Sequence, residues 1–276
     1  MILIVLALAI LAISYDDRLS DEKLHDRYSA KLETFDISHI DYGNHKIRVV
    51  TSINQTSKPF LVMVHGAPGG ITAFGGYLKD SLLQERFHFI NYDRPGYGND
   101  DDPAEPSIGY QADVLREILG EFCDSTSQIV FLSHSYGGPI AAAATIGLPM
   151  DDITHVMVAP VIEPSTERIF WYSSLPLRWP LSLISSHNLK TAAVEKVEHP
   201  GQIEQFVDLW PSVQGRTIHV HGTADFLAPV ENIDFVKSRF PSSSLESIVL
   251  EERSHFILWT RDTHELIRTQ LLGLFD

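Results

Sequence analysis

From Ile47 onward, short apolar runs of strand length alternate with longer runs of helical spacing. Ile47–Ser52 reads as an early strand after a turn at Gly43-Asn44. Phe60–Val64, Phe87–Tyr92, Ile129–Leu132, Val156–Val161, Ile218–Val220 and Ser247–Leu250 read as further strands. Several are wholly apolar, as expected of strands buried on both faces. Between them lie helical patterns over Ile108–Phe122, Gly138–Ile146 and Val230–Phe240, with a closing one over Phe256–Phe275. Ser107 reads as the N-cap of the Ile108–Phe122 helix. Strict alternation of this kind predicts an α/β fold with a mainly parallel sheet and helices on both faces. Right-handed crossovers then gather the strand C-termini on one edge, where such sheets bind ligands.

One stretch breaks the rhythm. Glu163 to Gly215 is too long for a plain crossover, and it carries Phe170, Trp171, Tyr172, Trp179, Phe206 and Trp210 among several prolines. Disordered segments lack aromatics, so the insertion at about 163–215 is expected to be a small helical cap over the sheet edge. The N-terminus forms a separate unit. Residues Ile2 to Ile13 are unbroken Ile, Leu, Val and Ala, with no basic residue before them. A dozen apolar residues suit a signal-peptide core better than a membrane span. Residues 1–14 therefore read as a signal peptide, a short uncleaved anchor or a buried N-terminal element, and the apolar core favours export, with membrane attachment as the variant. The remaining 15–276 read as one domain carrying the cap.

Composition excludes several functions. The formal net charge is -15 over 276 residues, and no clustered positive surface is visible, so nucleic acid is not an expected partner. Cys123 is the single cysteine, which rules out an intrachain disulfide and a cysteine metal cluster. His219 and His221 share a strand face, but no third ligand stands at recognisable spacing, so no metal is expected. No cofactor is expected either.

Four motifs at predicted strand ends carry the chemistry. Ser133-His134-Ser135-Tyr136-Gly137-Gly138 follows a buried strand and opens an Ala-rich helix, the context of a nucleophile elbow. The elbow turn is strained and its flanks approach closely, which calls for small residues two positions either side of the nucleophile. Gly137 meets this; Ser133 replaces the usual glycine. His65-Gly66-Ala67-Pro68-Gly69-Gly70 offers backbone N–H groups for an oxyanion, and the donors are assigned to Ala67 and Tyr136. Asp225, in His221-Gly222-Thr223-Ala224-Asp225, follows the next-to-last strand, and His255 follows the last. Glu163 is a rival acid. The order Ser135, Asp225, His255 is that of a nucleophile, an orienting acid and a general base. His134 is expected to point away from Ser135.

With these residues in view, the chain resembles the α/β-hydrolase superfamily from about Ile47 to the C-terminus. The family's oxyanion loop matches His65–Gly70, its elbow Ser133–Gly137, and its acid and histidine loops Asp225 and His255. Tyr92-Asp93-Arg94-Pro95-Gly96-Tyr97-Gly98 matches the loop after its fourth strand, with Asp93 and Arg94 bracing the turn. The resemblance implies an eight-stranded sheet and a lid where the cap insertion falls. Relatives that open epoxides or cleave carbon–halogen bonds use aspartate at the nucleophile position, so Ser135 implies acyl transfer to water. The expectation is hydrolysis of a carboxylic ester of a small, largely apolar molecule, with Phe226, Phe256, Trp171 and Trp210 as substrate contacts. An aminopeptidase or carbon–carbon bond hydrolase on the same residues is one alternative; the former would need a cap carboxylate, from Glu167, Glu195, Glu198 or Glu204, to hold an amine. A non-catalytic ligand-binding module is the other.

Overall fold

A computed structural model describes residues 18–54, 57–150, 152–241 and 245–275. The expectation of a signal peptide or anchor at 1–14 lies outside the described residues. No helix among those described is long and apolar enough to cross a membrane.

Eight strands form one sheet: β1 (Asp36–Tyr42), β2 (His45–Ser52), β3 (Phe60–Val64), β4 (His88–Tyr92), β5 (Ile129–His134), β6 (Ile153–Val158), β7 (Arg216–Gly222) and β8 (Leu245–Leu250). Their order is β1-β2-β4-β3-β5-β6-β7-β8. β2 pairs antiparallel with both β1 and β4, and every pairing from β4 across to β8 is parallel. Helices α1 (Asp21–Tyr28), α2 (Gly75–Leu78), α3 (Ser81–Arg86), α4 (Ile108–Phe122), α5 (Gly137–Thr145), α6 (His187–Glu204), α7 (Asn232–Arg239) and α8 (Arg261–Leu272) complete the fold.

The central strands alternate their side chains between two cores. Val62, Val64, Ile90 and Phe131 pack with α4 and α5 on one face. Leu61, Met63, Phe89 and Val130 pack with Phe74, Ile267 and Leu271 on the other. This is the two-faced burial that makes parallel strands read as continuous apolar runs. The α4 N-cap is Ser107, whose Oγ accepts from the Tyr110 amide at 3.2 Å.

Two sequence expectations need correction, and some elements were not expected. The strand expected at Val156–Val161 is β6, Ile153–Val158; the chain leaves the sheet at Ala159, which takes a φ of 46°. The closing helix is not continuous, because a 3-10 turn over His255–Trp259 precedes α8. The turn aims His255 back over the sheet edge. β1 and the helices before β4 carried too little periodicity to be expected: β1 is an edge strand with no buried residue. Between β6 and β7, the 163–215 stretch holds 3-10 turns at Pro164–Thr166, Leu175–Leu177 and Leu181–Leu183, then α6 and a turn at Trp210–Ser212.

Candidate active site

The C-terminal ends of β3, β5, β7 and β8 deliver the four motifs to one place. Ser135 sits between β5 and α5 with a φ of 51°, a left-handed conformation rare for a residue bearing a Cβ. Its amide donates to Val158 O at 3.0 Å, and its carbonyl accepts from Gly138 N at 3.0 Å and Val161 N at 3.3 Å. These bonds hold the strained turn. A Cβ on Gly137 would lie 2.1 Å from Val64 O, so the close crossing of α5 over β3 requires glycine there. Ser133, in the usual glycine position, is wholly buried, and its hydroxyl meets no partner among the described residues.

His255 Nε2 lies 2.9 Å from Ser135 Oγ, and His255 Nδ1 lies 2.7 Å from Asp225 Oδ2. A carboxylate only accepts, so the Nδ1 proton points at Asp225 and the Nε2 lone pair faces the serine hydroxyl. Asp225 Oδ1 accepts from the amides of Leu227 at 2.9 Å and Ala228 at 2.8 Å. Burial alone would raise the Asp225 carboxyl, but hydrogen bonds from His221 and His255 outweigh it and hold the group well below the usual carboxylate range. It therefore stays ionised beside the imidazole. Glu163, the rival acid, is not brought to His255; its carboxylate accepts from Ser165 Oγ at 2.8 Å.

The amides of Ala67 and Tyr136 donate to no group among the described residues, and both residues line a cavity with Ser135 and His255. Tyr136 also caps the N-terminus of α5, where the helix dipole favours negative charge. The loop bearing Ala67 is braced from beneath. Arg94 is fully buried and donates to His65 O at 2.9 Å and Gly66 O at 3.0 Å. Its guanidinium also pairs with the buried Glu195 of α6, at 2.6 and 3.0 Å. Tyr97 Oη and Gln111 Nε2 donate to the same carboxylate at 2.6 and 2.9 Å. Tyr136 Oη donates to the Glu195 carbonyl. One buried network thus ties the Gly-rich loop, the residue after Ser135 and α6 together. Asp93 braces the other side, accepting from Arg48 Nε at 2.8 Å and Ile71 N at 2.9 Å.

Several further histidines pack around the site. Burial beside Arg94 pushes His65 well down, so it is neutral, and its Nε2 accepts from Arg94 N at 3.0 Å. His134 is pushed down to about 3 by burial and by His255. It lines the cavity wall, with Nε2 3.2 Å from His255 O. His219 and His221 bond each other at 3.0 Å, and His221 Nε2 donates to Ala228 O at 2.8 Å, which backs the Asp225 turn. Among the described residues, imidazole and carboxylate atoms come close enough to hold a metal at His45, Asp100 and Asp102. The Asp100 oxygens there are already taken by His45 Nδ1 at 2.6 Å and by the amides of Gly96 and Asp102.

The cavity measures about 400 Å³. The 163–215 stretch covers it with Phe170, Tyr172, Pro176, Leu189, Ala192 and Ala193; Val161, Leu227, Phe256 and Trp259 complete an apolar wall. Of the four expected substrate contacts, only Phe256 lines it. Trp210 is 0% exposed and packs against Phe206 and Phe240 in the core below, so it is a core residue. Trp171 is 79% exposed and faces outward, with its neighbours Phe170 and Tyr172 turned in. Phe226 is half-exposed outside the cavity, and Leu227 takes the inner position. Sequence reasoning missed Glu195 as the partner of Arg94. An arginine buried in a turn demands a carboxylate, but nothing in the local pattern says which distant one supplies it. Lys196, which lines the cavity beside Glu167, was missed as well.

The fold and this constellation define an α/β hydrolase. A model of the alpha/beta hydrolase family matches residues 61–269, and the chain belongs to that family. Within it, a proline iminopeptidase of Saccharolobus solfataricus is 36% identical over 86 residues, 30% of this chain and 27% of the relative, so the match spans about a quarter of that protein's length. Among solved structures, a bacterial membrane phospholipase A superposes with a TM-score of 0.66 at 16% identity, covering 100% of this chain and 97% of the other. The thioesterase domain from the curacin biosynthetic pathway gives 0.60 at 14% identity, covering 87% of this chain and 100% of that domain. At such identities the two structures share the fold alone.

Proposed function

We propose that the protein hydrolyses a carboxylic ester of a small, largely apolar molecule through an acyl-enzyme on Ser135. The observation that carries this reading is the hydrogen-bonded series Asp225–His255–Ser135, beside which the Ala67 and Tyr136 amides donate to no group among the described residues. In the first step Ser135 Oγ attacks the ester carbonyl carbon and its proton passes to His255 Nε2. The carbonyl oxygen becomes an oxyanion held by the Ala67 and Tyr136 amides, which are already in place and cost no reorganisation. Asp225 keeps the imidazole tautomer and stabilises the imidazolium. The intermediate collapses, His255 protonates the departing alkoxide, and the alcohol leaves. Water, deprotonated by His255, then attacks the acyl-enzyme and releases the carboxylic acid and the serine. No step draws on a cofactor.

The apolar cavity wall supports a largely apolar acyl or alcohol portion. The aminopeptidase alternative draws support from the iminopeptidase relative, but it needs a carboxylate free to hold an amine. Glu195 is locked to Arg94, Glu167 is held by Lys196 and His199, and Glu198 and Glu204 do not line the cavity. We also propose export, on the apolar run Ile2–Ile13 alone; N-terminal sequencing of protein recovered outside the cytoplasm would check it.

The test is labelling with a fluorophosphonate beside Ser135→Ala, with turnover of short and long p-nitrophenyl esters in parallel. Labelling and turnover that both vanish in the variant are expected. A folded wild type that neither labels nor turns over would refute the mechanism and favour a binding module.

A further inference from the structure

The cavity wall carries one charged pair in otherwise apolar surroundings, and its geometry is asymmetric. Glu167 and Lys196 both line the cavity, and Lys196 Nζ donates to Glu167 Oε1. The second carboxylate oxygen accepts from His199 Nδ1 at 3.2 Å. The Glu167 side chain is 1% exposed, whereas that of Lys196 is 22% exposed. Both Glu167 oxygens are therefore engaged within the protein. Burial would raise this carboxyl, but the donors from His199 and Lys196 outweigh it and hold it below its ordinary value, so it stays a fixed anion. His199 is itself held in place, stacked on the Tyr136 ring with centroids 3.7 Å apart.

An ammonium has three N–H donors and no acceptor. Lys196 spends one on Glu167 and meets no other acceptor among the described residues. Ser173 also lines the cavity and accepts from Phe170 N at 3.1 Å, which leaves its hydroxyl proton to donate. What this part of the wall offers a ligand is thus donors. The Lys196 charge is already matched by Glu167, so a carboxylate brought there would meet the Glu167 anion at close range, and an ammonium would meet Lys196. A neutral oxygen acceptor meets neither penalty, and a donor left unpaired when an apolar ligand displaces water costs more than it would exposed.

We propose that Lys196 is a specificity-determining residue that binds a neutral carbonyl or amide oxygen in the substrate, remote from the ester bond that is cleaved. This rests on the cavity being the substrate site, as proposed above, and narrows the substrate to esters whose apolar portion carries a second, uncharged carbonyl. Lys196 holds that oxygen, Glu167, itself fixed by His199, holds Lys196, and the apolar wall takes the chain between.

The test reads binding rather than turnover, so that it can succeed or fail apart from the acyl-enzyme reading. Ser135→Ala protein is titrated calorimetrically with methyl esters of oxo-acids of five to seven carbons and with the plain alkyl esters of equal length. The same pairs are titrated against Ser135→Ala/Lys196→Met. For at least one chain length, the oxo-over-plain affinity ratio is expected to fall about tenfold or more when Lys196 is replaced, the range of a hydrogen bond to a charged donor. Lys196→Met alone strands a buried carboxylate, so Glu167→Gln/Lys196→Met in the same background serves as the second variant and is expected to lose the preference equally. A ratio unchanged by both variants would overturn the proposal. So would tightest binding of the half-ester of a dicarboxylic acid, which would indicate anion recognition, or of an ω-amino ester, which would return the site to amine recognition. Wild-type turnover of the plain esters, followed alongside, reports separately on the hydrolase reading.

Discussion

Replacing Glu195 by glutamine should cost about 3–5 kcal/mol of folding stability, the range for breaking a buried ion pair from one side. The structure explains why the cost should not be smaller. The carboxylate and its guanidinium partner are both 0% exposed, so water cannot take over either role without a cavity opening. Four donors converge on the two oxygens: Arg94 Nη1 and Nη2, Tyr97 Oη and Gln111 Nε2. An amide keeps one oxygen and turns a second donor toward the others, leaving the Arg94 charge without its counter-ion. A domain of ordinary stability, about 5–15 kcal/mol, would lose about a fifth or more. Urea unfolding should show this as a midpoint lower by about 1–2 M with an unchanged slope. Arg94→Met alone should also be severe, because it strands Glu195 and frees the carbonyls of His65 and Gly66. The double variant removes both charges and should cost at least about 2 kcal/mol less than the sum of the singles. A Glu195→Gln loss below about 1 kcal/mol, or strict additivity in the cycle, would refute the reasoning that this network is a charge-paired brace. Because the network supports the loop proposed to hold the oxyanion, kcat of the surviving Glu195→Gln protein should fall while KM holds.

Three further outcomes follow from the geometry. Gly137→Ala would push a methyl into Val64 O, where the Cβ position lies 2.1 Å away; thermal melting should show a loss of about 1–3 kcal/mol, and displacement of the elbow should lower kcat about a hundredfold. Asp225→Asn should lower kcat by roughly 10³–10⁴. It should also flatten the acid limb of stability: a carboxyl held below its ordinary value contributes stability above about pH 4 that is lost as pH falls toward its folded value, so wild type and variant should converge at low pH in acid unfolding followed by circular dichroism. Trp210→Ala should cost about 3–5 kcal/mol as a core truncation, whereas Trp171→Ala should stay within about 0.5 kcal/mol, both read from chemical denaturation; the reverse order would contradict their burial.

The sequence alone determined most strands of the sheet and the residues proposed to react. Phe60–Val64 and Ile108–Phe122 fall where their patterns put them, because a strand buried on both faces and a helix buried on one have short periods that local spacing records. Ser135, Asp225 and His255 were legible because each sits in a strand-end turn with its own small-residue signature, and their meeting follows from parallel strands sharing one C-terminal edge. Tertiary structure alone decided the rest. Which aromatic of the 163–215 stretch lines the cavity depends on how 3-10 turns orient it, and those turns have no lasting period; Phe170 and Tyr172 line it while Trp171 between them does not. The pairing of Arg94 with Glu195 joins residues 101 apart in the chain, and the Glu167–Lys196 pair joins residues 29 apart. Buried charges must find counter-charges, but a sequence states only that need; the packing of α6 over the sheet edge selects which carboxylate meets it.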